Sequence, residues 1–525
     1  MTEARVDGRR RGGRNAKRAE RAMPLAEAVR PVWPGLEGGR YAPLSAVDIS
    51  KIHNAALDTL EQVGFADAIP SCIEMTTAAG AFVNDHGRLC FPRVLVEDTI
   101  AKAARHFPLF AQNPKHDMEP FGKRIYFGTA GAAVHIVDPV TGEYRDSTLN
   151  DLFDIARLVD SLDHVHFFQR SIVARDMVEP RDLDLNTCYA AVTGTTKHVG
   201  TSFTEPGFVD ETLAMLHMIA SGEAKWRERP FVSMSNCFVV PPMKFATDAC
   251  RCLEAGVRGG LPVLLLAAGQ AGATSPASLV GAIVQQVAEV LGGLVYVNCI
   301  KPGAPAIFGP WPFVSDLRTG AMSGGSGEQA LLMAACAQMA HYYDLTGGVC
   351  AGMTDSKVAD AQAGYEKGYN YALVANAGAN LIYESAGMHA SLLGFCFESL
   401  VIDNDAIGAT LRTVRGIEVT DEALSLDVIR DACIGGPGHF LGSAQTLDLM
   451  QSAYVYPTIG DRTSPKEWLE QGSTDVVQKA IARTKETLES HYPGHIHGQL
   501  DRALRDRFDI KLPAERMRPS PPRPA

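Results

Sequence analysis

The sequence predicts an α/β protein: a (β/α)8 TIM barrel with an N-terminal α/β cap and C-terminal helices. Three observations carry this reading. From about residue 120, short apolar stretches alternate with helix-period stretches, the mark of parallel strands joined by helices. Neither GxGxxG nor GxxxxGKS/T follows any of them, which speaks against nucleotide-binding open sheets. After residue 403 the chain turns mostly helical. A doubly wound open sheet gives a similar alternation and stays open at this point.

Residues 1–30 make a basic arm around GRRRGGRNAKRAERA. It lacks the apolar run of a secretory signal. It reads either as a segment without a fold of its own or as an arm that touches an acidic partner. Residues 44–120 read as the cap. Ile49, Ile52, Leu57 and Leu60 share one face of a helix over 44–63. A second helix covers 73–79, and AFVNDHGRLCFP turns at Asn84-Asp85-His86-Gly87 between two apolar stretches.

The barrel is expected over 121–403. Its strands fall at 125–129, 165–172, 198–203, 231–236, 262–267, 305–309, 346–351 and 380–384. Helices lie between them at 149–161, 182–193, 211–221, 246–255, 276–300, 327–343 and 356–377. Residues 404–510 read as a helical segment, with 476–490 its clearest helix, and 511–525 as a Pro-rich tail.

Composition narrows the function classes. The formal net charge of −11 argues against a dedicated nucleic-acid binder, which needs a basic face. The longest apolar stretch, 277–300, contains Gln285, Gln286 and Glu289, so it reads as a buried helix and not a membrane span. Eleven scattered cysteines, an odd number without paired CxxC spacing, suggest free thiols and a cytoplasmic location.

In a barrel the chemistry sits on the loops after the strands. After the fifth expected strand, AAGQAGATSPAS offers Gly269, Gly272 and Thr274 for close backbone approach to a ligand, with helix-start N–H groups for a carboxylate. After the sixth, Phe308, Trp311 and Phe313 cluster, and aromatic faces attract quaternary ammonium groups. The loop after the seventh is the densest polar cluster, with Thr354, Asp355, Ser356, Lys357, Asp360, Gln362 and Glu366. The eighth strand ends at Tyr383 and Glu384, with His389 just beyond. Asp355 and Glu384 are the expected catalytic carboxylates; Phe308, Trp311, Tyr383, His389 and Gln362 are the expected substrate contacts. No metal is assigned: Cys250 and Cys252 lack a matching second pair, and His491, His495 and His497 lie far from the expected loops.

Several segments together resemble the trimethylamine methyltransferase (MttB) family of corrinoid-dependent barrel enzymes. They are QAGATSPASLVG, KPGAPAIFGP, DLRTGAMSGGSGEQALL, GMTDSKVADAQAGYEKG and ESLVIDND. The resemblance runs from about residue 44 to residue 500. The family's trimethylamine enzymes carry pyrrolysine near the segment matching 349–357, which reads VCAGMTDSK here. This points to the branch without pyrrolysine, some members of which demethylate quaternary amines such as glycine betaine. The resemblance implies methyl transfer from a small methylated amine to the Co(I) of a corrinoid (cobalamin) carried by a partner protein. A homo-oligomer is expected, with neither nucleic acid nor membrane as partner. The alternatives are another acceptor such as tetrahydrofolate, a sulfonium donor, or a barrel that binds a methylated amine without turnover.

Overall fold

The structure, a computed structural model, describes residues 30–519. The basic arm through residue 29 and the tail from residue 520 lie outside the described residues. Eight parallel strands among the described residues alternate with eight helices: β1 (Arg124–Phe127), α1 (Leu149–Ser161), β2 (Phe167–Gln169), α2 (Pro180–Gly194), β3 (His198–Thr201), α3 (Pro206–Ile219), β4 (Val232–Asn236), α4 (Thr247–Arg258), β5 (Val263–Ala267), α5 (Leu279–Ile300), β6 (Ala306–Pro310), α6 (Gly327–Tyr343), β7 (Gly348–Cys350), α7 (Ala361–Ala377), β8 (Leu381–Tyr383) and α8 (Phe397–Arg415). Each of the eight expected strands overlaps an observed one. Helices α1 and α6 have the expected bounds. Helix α7 begins at Ala361 instead of 356, because Asp360 caps it by accepting from the Ala363 N–H, 3.0 Å away.

Strands β2 to β6 form one five-stranded parallel sheet, and β7, β8 and β1 form a second parallel run. The ends of the two meet at single parallel bridges, Gly128 to Phe167 and Phe308 to Gly347. At the second junction the Phe308 N–H donates to the Thr346 carbonyl at 2.8 Å. Two glycines make room inside. A Cβ on Gly128 would stand 2.2 Å from the Phe167 ring, and one on Gly348 would meet Ile307, Tyr383 and Leu264 at 2.8–3.2 Å.

Helix α1 starts on a capping box between Thr148 and Asp151, and α6 on the Ser326 hydroxyl. Helix α5 is apolar almost all round and largely buried. Helices Ala46–Gln62, Pro70–Ala78 and Arg93–Lys102 pack on it from outside while β5 and β6 lie beneath, which is why its sequence shows no polar face. Helix Val476–Ser490 packs on α8 and α1. There Arg157 lies over the Tyr492 ring at 3.8 Å and donates to the Leu488 and His491 carbonyls.

The chain divides into two compact units. Among the described residues the larger holds Pro34–Gly416 and 457–519; the smaller holds Ile417–Tyr456 and 30–33. Within 417–456 two short helices form, Leu426–Cys433 and Ala444–Ser452, and Ala432 is the one buried residue.

Lys197, fully buried just before β3, donates to the carbonyls of Val159, Leu162 and Val165 at 2.6–2.7 Å. It ties the end of α1 to the approach of β2. Lys197→Ala would leave those three acceptors without their donor in a dry site, so we expect a loss of about 3 kcal/mol. Chemical denaturation checks this, and an unchanged midpoint would show that the carbonyls find other donors.

Candidate functional site

The C-terminal ends of the strands carry a set of polar atoms that the fold leaves unsatisfied. Buried Thr201 Oγ1 at the end of β3, Asn236 Oδ1 at the end of β4, Arg170 Nε just past β2 and Glu384 Oε2 just past β8 have no hydrogen-bond partner. Buried polar atoms normally find partners. Four without them, at or just past the ends of β2, β3, β4 and β8, are the arrangement expected where a ligand completes the bonding.

Glu384 is the centre of this set. It is 3% exposed, and burial alone pushes its carboxyl up to about 8. Its φ of +57° lies in the left-handed region that a residue with a side chain rarely adopts. Such strain persists only where the surroundings impose it, and here they do. The Ser385 N–H donates to the Gly128 carbonyl at 3.1 Å, and the Tyr371 hydroxyl donates to the Ser385 carbonyl at 2.5 Å. The Gly387 N–H donates to Asp403 Oδ2 at 2.8 Å, and that oxygen also takes the Lys367 ammonium at 2.6 Å. The Lys367–Asp403 pair is buried, so α7 and α8 together bolt down the turn that holds Glu384.

Tyr383, the residue before Glu384, belongs to a cluster of rings. Tyr383 meets Phe167 at 5.0 Å and Trp311 at 5.6 Å between centroids, and Trp311 meets Phe313 at 6.2 Å. The Trp311 Nε1–H is satisfied by the Gly348 carbonyl at 2.8 Å, so its ring is fixed.

Cys237, just past β4, is exposed, yet its neighbours push its thiol up to about 11. The fields of both Arg170 and Glu384 act on it. Burial lowers the Arg170 guanidinium from its ordinary value. Asp184 stands near enough to oppose that, its own carboxyl pushed up to about 6 by burial. A guanidinium and a carboxyl thus both lie within electrostatic reach of Cys237.

The structure sets Tyr383, next to Glu384 in the chain, against Trp311, and it engages the other expected residues with other partners. Asp355 is engaged as a clasp: it accepts from Ser323 Oγ at 2.6 Å and Ser391 Oγ at 2.7 Å, joining the loops after β6, β7 and β8. Gln362 donates to Glu366 at 2.8 Å, and Glu366 accepts from the Asp355 N–H at 2.8 Å and from the Thr354 hydroxyl. The dense polar cluster is thus a knot of loop bonds. His389 is buried against Ser399 Oγ at 2.6 Å, and burial with the nearby Lys367 lowers it to about 3. Phe308 faces Tyr343 of α6.

Gly269, Gly272 and Thr274, expected to offer backbone donors, have none free. Their N–H groups go to Gln286 Oε1, the Ser275 carbonyl and the Gln270 carbonyl. Arg170, Cys237, Thr201, Asn236 and Phe167 escaped the sequence reading. The signal available for four of them was position, at or just past the ends of the second, third and fourth strands.

No group of three or more His, Cys, Asp or Glu among the described residues is arranged to hold a metal ion. His491 pairs with Asp160, His495 with the Val192 carbonyl, and His497 caps helix Gly498–Arg507.

Comparison with known proteins identifies the family. The family model described as trimethylamine methyltransferase (MTTB) matches residues 10–512. The chain is 32% identical to trimethylamine methyltransferase MttB of Desulfitobacterium hafniense strain DCB-2, over 90% of this chain and 94% of that one. It is 28% identical to glycine betaine methyltransferase of D. hafniense strain Y51, over 89% and 96%. The solved Methanosarcina barkeri monomethylamine methyltransferase (MtmB) overlaps 86% of this chain and 95% of its own, at a TM-score of 0.45 and 12% identity.

Two outcomes follow from the geometry. A carboxyl raised from 4.5 to about 8 on folding binds a proton in the native state across that interval, so it costs stability as pH rises through it. Glu384→Gln removes that cost. The difference in Tm between variant and parent should widen from pH 5 to pH 8 and stay level above; a constant difference overturns the assignment. Lys367→Met leaves Asp403 buried without its cation and should lose about 3 kcal/mol in urea unfolding.

Proposed function

The chain belongs to the trimethylamine methyltransferase family, and from that premise we propose that it takes a methyl group from a glycine betaine-like zwitterion and passes it to a corrinoid carried by a partner protein. The observation that carries this is the unpaired, buried Glu384 carboxyl, which with Arg170 acts on the same neighbour, Cys237. A quaternary ammonium fits the carboxyl and the rings of Tyr383 and Trp311. The acidic end of the same molecule fits the Arg170 fork. A plain amine leaves Arg170 facing nothing.

The architecture suits the reading. We take the eight strands, joined at Gly128–Phe167 and Phe308–Gly347, as a closed (β/α)8 barrel over 121–403, with a cap over 44–120 and a helical segment over 404–510. Half-exposed Arg170 and Ser235 and exposed Cys237 leave the mouth accessible on the β2–β4 side, where a corrinoid presented by another protein would approach. Eleven free cysteines suit a reducing cytoplasm.

The corrinoid supplies the nucleophile; the residues of this chain supply position and field. With Glu384 at about 8, the ligand-free site at neutral pH holds mostly the neutral carboxyl. A bound cation draws the proton off Glu384 Oε2, and the ion pair sits in a dry, low-dielectric place. When the methyl group leaves, the substrate nitrogen becomes neutral. The carboxylate then stands unpaired and takes back a proton, so no lasting buried charge remains. The amine product is a neutral leaving group and needs no general acid. The rings hold the cation without a formal charge that would oppose its loss.

Binding of a quaternary zwitterion should therefore strengthen as pH rises towards 8 and release a proton below it. Calorimetry in buffers of different ionisation enthalpy reads that proton, and Glu384→Gln should abolish it. Arg170→Met should weaken glycine betaine at least tenfold while leaving tetramethylammonium within about twofold. For turnover, the chain is mixed with a reduced corrinoid and a panel of methylated amines, and the demethylated amine is measured by NMR. Demethylation of zwitterionic quaternary amines supports the proposal. Turnover of trimethylamine alone would overturn the substrate assignment, and an absence of demethylated product from every amine would overturn the reaction.

A further inference from the structure

Gln169 is the last residue of β2. Side chains along a strand alternate between its two faces, so Gln169 shares a face with Phe167. The Phe167 ring lies against Gly128, just past β1, and stands 5.0 Å from the Tyr383 ring of β8. Strand β1 pairs with β8, so the face that carries Phe167 and Gln169 is the one turned to Tyr383. The main chain of Gln169 is bonded: its N–H donates to Thr129 Oγ1 at 3.0 Å, and its carbonyl accepts from the same hydroxyl at 2.7 Å. Its side chain is not. Gln169 is 5% exposed, and no described residue bonds its carboxamide. The polar atoms sealed without a partner include Glu384 Oε2 and neither carboxamide atom of Gln169. The unbonded amide therefore keeps surface that water can reach.

The fold holds that place open. Gly200 of β3 is the register partner of Gln169, and a Cβ on it would fall on the Gln169 carboxamide oxygen, with Nε2 3.2 Å away. Gly200 has no positive φ, so its missing side chain serves its neighbour and not its own backbone. The carboxamide oxygen is turned onto Gly200 and the NH2 group away from it. Other glutamines are spent within the protein. Gln112 donates to the Val192 and Thr195 carbonyls at 2.7 and 3.0 Å, and Gln338 bonds the N–H and carbonyl of Leu44 at 2.8 and 3.0 Å. A buried carboxamide without a partner costs stability that an apolar side chain of its size does not. Its NH2 group offers two donors, which suit the oxygens of an anion. The next residue, Arg170, brings a guanidinium.

We propose that Gln169 is a specificity residue: its Nε2–H2 group donates to the carboxylate of the zwitterion, beside the Arg170 guanidinium, and Gly200 is the gap that seats it. This rests on the zwitterion reading of the site. The amide selects by hydrogen bonding, so it distinguishes a methylated ammonium that carries a carboxylate from one that does not.

The test is titration calorimetry of the full chain with two ligands, glycine betaine and tetramethylammonium, which share the cation and differ in the carboxylate. Gln169→Leu should weaken glycine betaine about tenfold or more and leave tetramethylammonium within about twofold, the loss of one hydrogen bond to a charged group. Gln169→Glu puts an anion where the donor stood and should weaken glycine betaine more than Gln169→Leu does. Gly200→Ala keeps every polar group and pushes the carboxamide aside, so it should reproduce the loss of Gln169→Leu on glycine betaine. The atoms it displaces are the end of a flexible side chain, so its far-UV dichroism and Tm should match the parent's. Unchanged glycine betaine affinity in Gln169→Leu would overturn the assignment while leaving the zwitterion reading in place. Equal losses for both ligands would overturn it too, since the amide would then serve only the shape of the site. Full affinity in Gly200→Ala would overturn the seating over Gly200. A parent chain that binds neither ligand would overturn the zwitterion reading itself, and the role of Gln169 with it.

Discussion

A buried carboxyl held in a strained turn is the constraint on which the rest of the site depends. Glu384 sits just past β8 with a left-handed backbone and an oxygen that bonds to nothing. Neither condition is stable alone. The backbone conformation costs energy of order 1–3 kcal/mol, and the burial keeps the group protonated. Both are met by the bonds of the next three residues, to Gly128, Tyr371 and Asp403. Those bonds reach α7, α8 and the end of β1. The barrel-like ring and its outer helices thus converge on one position.

The polar residues at the rim do a different job. Asp355, Ser323 and Ser391 tie three consecutive loops, and Thr354, Gln362 and Glu366 tie the loop after β7 to its own helix. Every one of those polar groups has a partner within the protein. Thr201, Asn236, Arg170 and Glu384, at or just past the ends of four strands, each keep a buried polar atom without a partner. A site that must bond a ligand keeps its donors and acceptors free, and a scaffold spends them.

Electrostatics works in the same terms. Glu384 and Arg170 both act on the Cys237 thiol, and each keeps a buried polar atom without a hydrogen-bond partner. A molecule that carries both charges would complete both.

The sequence by itself determined the order of strands and helices, the position of nearly every element, and the family. Those follow from local pattern: apolar stretches of strand length, caps such as Thr148–Asp151, and motif segments such as GMTDSKVADAQAGYE. It also marked Glu384, Tyr383 and Trp311, which stand at strand ends where a barrel keeps its chemistry. It also singled out Asp355, Gln362, His389, Phe308 and the loop of Gly269, Gly272 and Thr274, because a polar or glycine-rich loop looks the same whether its bonds are spent or free. Only the tertiary structure decided that, since the partners of Asp355 and Glu366 come from other loops and helices, and the absence of a partner for Glu384 and Arg170 is a property of what packs around them. Arg170 and Glu384 are 214 positions apart in the chain, and no local pattern shows that both come within electrostatic reach of Cys237.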